Sequence, residues 1–259
     1  MVIDGRKIAG EILNQLKKIK PPEKILVAVL VGDNAASLSF LKQKEKIAHS
    51  LGIKFKLYQF RSDVSFEEFK QLTNELAASE SVGGVILQLP LPENFNRDSA
   101  IALIPENKDV DVLKRSGKIL APAVGVLEEI LKHINFELKG KKTIVLGRGL
   151  LVGKPIADWL RGKVGKITVF NSSFFDFKIL KEADLVVSGV GKAGFIKGDM
   201  VKKGATLIDF GYSFAKGRLE GDFDFESCEP VVAYITRTPG GTGPILVAKL
   251  FENFYALWK

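Results

Sequence analysis

Short apolar runs rich in Val, Ile and Leu alternate along the chain with longer amphipathic segments, and this alternation constrains the fold more than any other feature. Ile25–Val31, Ile53–Phe60, Gly84–Leu87, Thr143–Leu146, Ile167–Phe170, Leu185–Ser188 and Thr206–Phe210 read as strands. Between them, Ala36–Leu51, Phe66–Ala78, Asp98–Ile104, Val124–Ile134, Lys154–Arg161 and Ile179–Ala183 read as helices, with a last helix near Pro244–Trp258. Parallel neighbours need a crossover, which a helix supplies, so the pattern predicts an α/β fold with a mostly parallel sheet. Ser65-Phe66-Glu67-Glu68 reads as a capping box at the head of the second helix.

The stretch Asn107–Ala123 mixes charge, Gly and Pro and separates two strand–helix series. A boundary between two α/β lobes is expected there, with a ligand site in the cleft between them. The chain length of 259 residues suits two modest domains, and 46% hydrophobic with 26% charged residues is the balance of an ordinary globular protein. No apolar run reaches the roughly 18 residues that span a bilayer, so no membrane partner is expected. The first residues lack a signal-peptide core, so a cytoplasmic location is expected. A single thiol, Cys228, excludes an internal disulfide, and with His49 and His133 it argues against a metal site.

The net charge is +8, but only eight of the 38 basic residues are arginine, leaving thirty lysines. Arginine is the better residue for bidentate contacts to phosphates and base edges. The excess therefore reads as solvated surface, no nucleic-acid partner is expected, and anionic small molecules stay open.

Glycines end the strand Thr143–Leu146 and precede a helix with Pro155 in its first turn. In Gly147-Arg148-Gly149-Leu150-Leu151-Val152-Gly153 the spacing is one residue longer than the standard dinucleotide fingerprint. Such a junction attracts phosphate, or it is only a tight strand-to-helix turn. The next strand ends at Asn171-Ser172-Ser173, without the Asp or Glu that binds an NAD ribose. Uncharged residues with Arg148 nearby suit a 2′-phosphate, so NADP is expected rather than NAD. Ser188-Gly189-Val190-Gly191 and Asp209-Phe210-Gly211 put small residues at further strand ends, where a cofactor could approach; each is equally readable as a plain turn.

The helix after Asn34 holds the most informative residue. At helical spacing Phe40, Leu41, Ile47, Ala48 and Leu51 form one apolar stripe with Lys44 in its middle, while Lys42, Glu45 and Lys46 point away. Lys44 either snorkels to the edge of the core, which the pattern alone favours, or is desolvated with a lowered pKa. The second state suits a general base. Gln88 puts a lone amide at the end of a buried-type strand, where it needs hydrogen-bond partners. Lys108-Asp109-Val110-Asp111 places two carboxylates before the boundary, or forms a solvated turn. Thr238-Pro239-Gly240-Gly241-Thr242-Gly243-Pro244 either closes over a ligand or returns the chain to the first lobe.

In this order the segments resemble the bifunctional methylenetetrahydrofolate dehydrogenase/methenyltetrahydrofolate cyclohydrolase family, nearly end to end. The resemblance rests on Val31–Ser37, the helix with Lys44, Gln88-Leu89-Pro90-Leu91-Pro92, Lys108–Asp111, Gly147–Pro155, Gly221-Asp222-Phe223-Asp224-Phe225 and the Pro239–Pro244 turn. It implies NADP-dependent oxidation of 5,10-methylenetetrahydrofolate and hydrolysis of the methenyl product to 10-formyltetrahydrofolate. It implies a folate-binding catalytic lobe of residues 1–116 plus 244–259, a Rossmann-like NADP lobe of residues 117–243, and a homodimer. Lys44 matches the catalytic lysine, Gln88 the glutamine that positions it, and Asp111 the carboxylate that binds the pterin. Ser37, Phe40, Pro239, Gly240 and Gly241 match substrate positions. Gly147, Arg148, Gly149, Val152, Gly153, Asn171, Ser172, Gly189 and Gly191 match cofactor positions, Arg148 and Ser172 at the 2′-phosphate.

The chain departs from the family pattern at several places. Phe40 stands for the usual Tyr, Val112 for Gly, Gly149 for Ser, Asn171 for a frequent His, Arg237 for Pro, and Leu120–Ala123 for a Pro-Cys-Thr-Pro run. Phe40 can stack on an aminobenzoyl ring but has no hydroxyl to offer Lys44. The cyclohydrolase step is therefore expected to be retained or weakened, while hydride transfer tolerates these changes better. Two alternatives stay open: a shikimate-dehydrogenase-like NADP enzyme, and a non-catalytic homologue that only binds folate or nucleotide.

Overall fold

The structure is a computed structural model that describes residues 1–114, 119–171, 177–215 and 217–258. The chain opens with β1 (Val2–Ile3), α1 (Gly5–Leu16), β2 (Ile25–Val31), α2 (Ala35–Ser50) and β3 (Lys54–Phe60). It continues through α3 (Phe66–Ala78), β4 (Val82–Leu87), α4 (Arg97–Ala102), α5 (Pro122–His133), β5 (Lys142–Leu146) and α6 (Gly153–Leu160). Then come β6 (Lys166–Phe170), β7 (Leu185–Ser188), β8 (Thr206–Asp209), β9 (Ser213–Ala215), β10 (Arg218–Glu220), α7 (Phe225–Cys228), β11 (Tyr234–Thr236) and α8 (Thr242–Ala256). Ile179–Ala183, expected as an α-helix, belongs to the 3-10 turn Phe177–Glu182. No helix of the described residues is long and apolar enough to cross a membrane.

Two compact units emerge: residues 12–122 with 247–259, and residues 1–11 with 123–246. The first eleven residues thus side with the second unit, although the sequence assigns them to the first lobe. The reason is local. β1 pairs in parallel with β11, which pairs with β8, so the N-terminus is an edge strand of the second sheet. The expected boundary at 116/117 lies outside the described residues.

In the first unit β2 is the centre of a three-stranded parallel sheet of order β3-β2-β4. β2 (ILVAVLV) and β4 (VGGVIL) are buried almost throughout, as strands covered on both faces must be. β3 (KFKLYQF) is the edge strand and alternates with solvent. A Cβ on Gly84 would meet side chains of Val110, Leu26 and Phe254 within 3 Å, so only glycine lets β4 pack this closely. Asn34 caps α2 by accepting from the Ser37 N–H at 3.0 Å, and Ser65 caps α3 by accepting from the Glu68 N–H at 3.1 Å.

The second unit holds a six-stranded sheet of order β1-β11-β8-β7-β5-β6, parallel at every pairing. β9 and β10 form a separate antiparallel hairpin. One core cluster of this unit runs from Ile144 and Leu146 through Val186 and Leu207 to Ile235. The strand order reverses at β5, with β6 on one side and β7 on the other. In open α/β sheets such a switch point is where ligands bind, at the carboxyl ends of the strands. The smaller sheet reverses in the same way at β2.

Candidate active site

Three side chains assemble at the carboxyl end of the smaller sheet. Lys44 stands on α2, in line with the buried residues Ser37, Leu41 and Ala48. It is only 5% exposed, so the stripe read from the sequence desolvates the lysine instead of letting it snorkel. Its Nζ donates to Gln88 Oε1 at 3.2 Å and lies 5.1 Å over the centre of the Phe40 ring. Gln88 follows β4, and its Nε2 donates to the Leu89 carbonyl at 2.8 Å, which turns Oε1 toward the lysine. The lone amide thus has the partners it needs. Burial lowers the Lys44 pKa below the usual lysine range, and the Asp111 carboxyl works against that shift.

Asp111 is half-buried. Burial raises its pKa above the usual carboxylate range, the Lys44 ammonium opposes this, and Asp109 adds to it. The Lys108–Asp111 segment is no solvated turn. Asp109 bridges Val85 of β4 and is buried, as is Lys108, whose Nζ donates to the Ala77 and Ser79 carbonyls at the end of α3. Asp109 Oδ2 accepts from the Lys114 N–H at 2.9 Å, while Oδ1 has no hydrogen-bond partner. From α8, Asn253 Nδ2 donates to the carbonyls of Val110 and Leu120, both at 2.9 Å, and fixes the backbone beside Asp111. The sequence reading passes over Asn253 because nothing local marks one amide on an apolar helix.

The cofactor-type residues gather at the switch point of the larger sheet. Gly147 has φ +96, open to glycine but strained for other residues. A Cβ on Gly153 would collide with the Gly147 carbonyl, so the loop after β5 closes directly onto α6. Gly149 has open space where a Cβ would be. Arg148 donates to the Val169 carbonyl at 3.1 Å, which lays its guanidinium along β6, the strand followed by Asn171. Gly189 and Gly191 follow β7, with Gly189 beside Val152 and Gly147. The helix start offers fewer phosphate donors than its sequence suggests. Pro155 has no N–H, and that of Lys154 goes to the Gly149 carbonyl at 3.0 Å. Ser172 lies outside the described residues. Pro239, Gly240 and Gly241 belong to this unit, and Gly240 sits 3.5 to 4.0 Å from the Arg6 guanidinium by the position a Cβ would take.

Known proteins match this arrangement over the whole chain. The model of the tetrahydrofolate dehydrogenase/cyclohydrolase catalytic domain matches residues 3–111, and that of the NAD(P)-binding domain of the same family matches residues 120–259. The chain belongs to the tetrahydrofolate dehydrogenase/cyclohydrolase family. The bifunctional protein FolD of Halothermothrix orenii is 36% identical, over 97% of this chain and 95% of that one. The crystal structure of the FolD methylenetetrahydrofolate dehydrogenase/cyclohydrolase of Campylobacter jejuni superposes with a TM-score of 0.93 at 30% identity, covering 99% and 98% of the two chains. The Trypanosoma brucei enzyme, solved with NADP cofactor and inhibitor, has a TM-score of 0.93 at 29% identity, covering 100% and 97%. Membership in this family removes the shikimate-dehydrogenase-like alternative.

Two departures from the family pattern have visible structural consequences. Val112, where glycine is expected, takes φ 56, a conformation that a β-branched residue adopts only under strain. Arg237, in place of proline, lays its guanidinium 5.0 Å over the Phe225 ring.

Proposed function

We propose that this member of the family oxidises 5,10-methylenetetrahydrofolate with NADP and hydrolyses the methenyl product to 10-formyltetrahydrofolate, the hydrolysis being the weaker step. The observation that carries this reading is Lys44: a buried amine held by Gln88, facing Asp111, with a lowered pKa.

A lowered pKa makes the free amine more abundant near neutral pH than on a surface lysine. Such an amine can take a proton from the water that attacks the methenyl carbon, and return it as the ring opens. Gln88 fixes the direction of the amine. Asp111, its pKa raised, offers a carboxyl that can share a proton with the pterin ring. Phe40 supplies a flat face for the aminobenzoyl group, and Ser37 lies on the same face of α2, while Pro239, Gly240 and Gly241 are further candidates for substrate contact. Without a hydroxyl on Phe40, Lys44 has one fewer polar neighbour, which is the reason to expect slow hydrolysis.

When bound, NADP supplies the hydride acceptor. The residues to hold it are Gly147, Arg148, Gly149, Val152, Gly153, Asn171, Ser172, Gly189 and Gly191. The open face at Gly149 and the glycine-only turn at Gly147 leave room for a dinucleotide. Preference for NADP over NAD rests on Arg148 and on the absence of an acidic residue directly after β6.

A homodimer is supported by the β9–β10 hairpin of the second unit. Phe214 is 75% and Leu219 is 42% exposed, and they are paired across the hairpin; the adjacent Tyr212 is 59% exposed. An apolar patch of this kind marks an interaction surface. The deciding experiment follows the methenyl species in a spectrophotometer, with methylenetetrahydrofolate and either NADP+ or NAD+. Appearance with NADP+ followed by slow decay is expected. Folate binding without turnover would instead establish the non-catalytic reading.

A further inference from the structure

Two buried carboxylates of the second unit are unused by the reactions above. Asp222, with no exposed surface, is the anchor of the loop after β7. Its Oδ2 accepts from Ser188 Oγ at 2.6 Å and from the Val190 N–H at 2.8 Å, and its Oδ1 accepts from the Lys192 N–H at 2.7 Å. Three donors converging on one carboxylate are the pattern of an ionised acceptor. All three come from residues 188–192, the stretch that carries Gly189 and Gly191. Asp209, at the end of β8, is 2% exposed and accepts from the Gly211 and Phe223 N–H groups at 2.9 and 3.1 Å.

The two acids are crossed. A Cβ on Gly211 would collide with the Asp222 carboxylate, and a Cβ on Gly221 with that of Asp209. Each acid therefore sits against a glycine, and both carboxyls are buried, near enough for the charge of Asp222 to act on Asp209. Like charges so placed cannot both be held cheaply.

We propose that Asp222 is the positioning residue of the cofactor loop after β7, holding residues 188–192 in the conformation that accepts the dinucleotide, with Asp209 as its neutral partner. The proposal rests on the assignment of Gly189 and Gly191 to the cofactor site.

Burial first, and then the charge of Asp222, push Asp209 up to about 8. Uncharged groups also lie around Asp209 among the described residues. They are the thiol of Cys228, itself pushed up to about 11, the Thr236 hydroxyl that accepts from the Asp209 N–H, and the Thr242 hydroxyl that donates to its carbonyl. At neutral pH Asp209 therefore keeps its proton. Above about pH 8 a second buried negative charge appears beside Asp222, and the loop that Asp222 holds is loosened.

The test is the KM for NADP+ from pH 6.5 to 9 at saturating methylenetetrahydrofolate. Asp222→Asn replaces an acceptor by a donor facing N–H groups, so KM for NADP+ is expected to rise roughly 10-fold or more, with KM for the folate little changed. In the unmodified protein KM for NADP+ rises above pH 8, and Asp209→Asn, which stays neutral, abolishes that rise. An unchanged KM for NADP+ in Asp222→Asn, or a rise that persists in Asp209→Asn, overturns the proposal. Arg148→Ala is the control for the site itself: if it too leaves KM for NADP+ unchanged, the cofactor assignment fails, and if it alone raises KM, only the role of Asp222 fails. Should Asp222→Asn not fold, Ser188→Ala and the Asp209→Asn pH profile carry the same test, with a few-fold rise in KM expected from the first.

Discussion

Replacing Lys44 by Met removes the amine that donates to Gln88 Oε1 while keeping a side chain of similar length. Hydrolysis of the methenyl species is expected to fall at least 10²-fold in a stopped assay, with hydride transfer less affected. Lys44→Arg separates charge from basicity, because an arginine never gives up its proton at working pH. It should be as inactive in hydrolysis as the methionine variant, and activity in Lys44→Arg would refute the role of the free amine. Since burial lowers the Lys44 pKa, the rate of hydrolysis should rise with pH as the amine loses its proton, and level off once it is free. A rate that is flat below neutrality and falls as pH rises would contradict this. Phe40→Tyr is a gain-of-function test at the same place. A hydroxyl one helical turn from Lys44 is expected to raise hydrolysis on the order of 10²-fold if the missing hydrogen bond is what slows it. The stripe that holds Lys44 is legible in the sequence, but its consequence is not, because α2 alone would let the side chain snorkel. Only the fold brings Gln88, just after β4, and the Asp111 carboxyl to a lysine that is buried.

Val112 lets the strain at one turn be measured. It is 6% exposed and has φ 56, so its burial offsets a conformation that disfavours branched side chains. At ordinary positions Gly is less stable than Ala. Here the order should invert. Both truncations lose the buried methyl groups, but Ala keeps the left-handed strain, which costs about 1–2 kcal/mol. Val112→Gly should therefore be the more stable variant by about 1 kcal/mol in denaturant titration, and the usual order would show that no strain is stored there. Element by element, the regular pieces are readable: β2, α2, α3 with its Ser65 cap, and β5 to β8 carry the periods expected of them. α1 was missed although Ile8, Ala9, Ile12 and Leu16 are buried along one face, since Gly5 and Gly10 mask the pattern. β1 and β11 are two and three residues long, too short to show any period.

For the whole molecule, the proposed homodimer is tested at one hairpin. Phe214→Asp puts a charge on a residue of the β9–β10 hairpin that is 75% exposed. If that hairpin is the contact, sedimentation should change from dimer to monomer while Asp209 and Asp222, in the core of the same unit, remain undisturbed. A variant that stays dimeric moves the interface elsewhere. The hairpin also bears on the charge of +8. Lysines dominate that excess, and the residues with a chemical assignment are few, so most of the charge stays a property of the surface.

By itself the sequence determined the α/β class, the two strand–helix series, the glycine loop after β5, and the residues Lys44 and Gln88 as those to watch, because each of these rests on local period or on residue type; Asp111 was set apart from Asp109 by the family resemblance alone. The tertiary structure alone decided that Lys44 is desolvated, that β1 completes the larger sheet, and that Asp209 and Asp222 are buried near one another. These depend on which segments become neighbours, and contacts between residues 44 or even 232 positions apart leave no mark on the residues nearby.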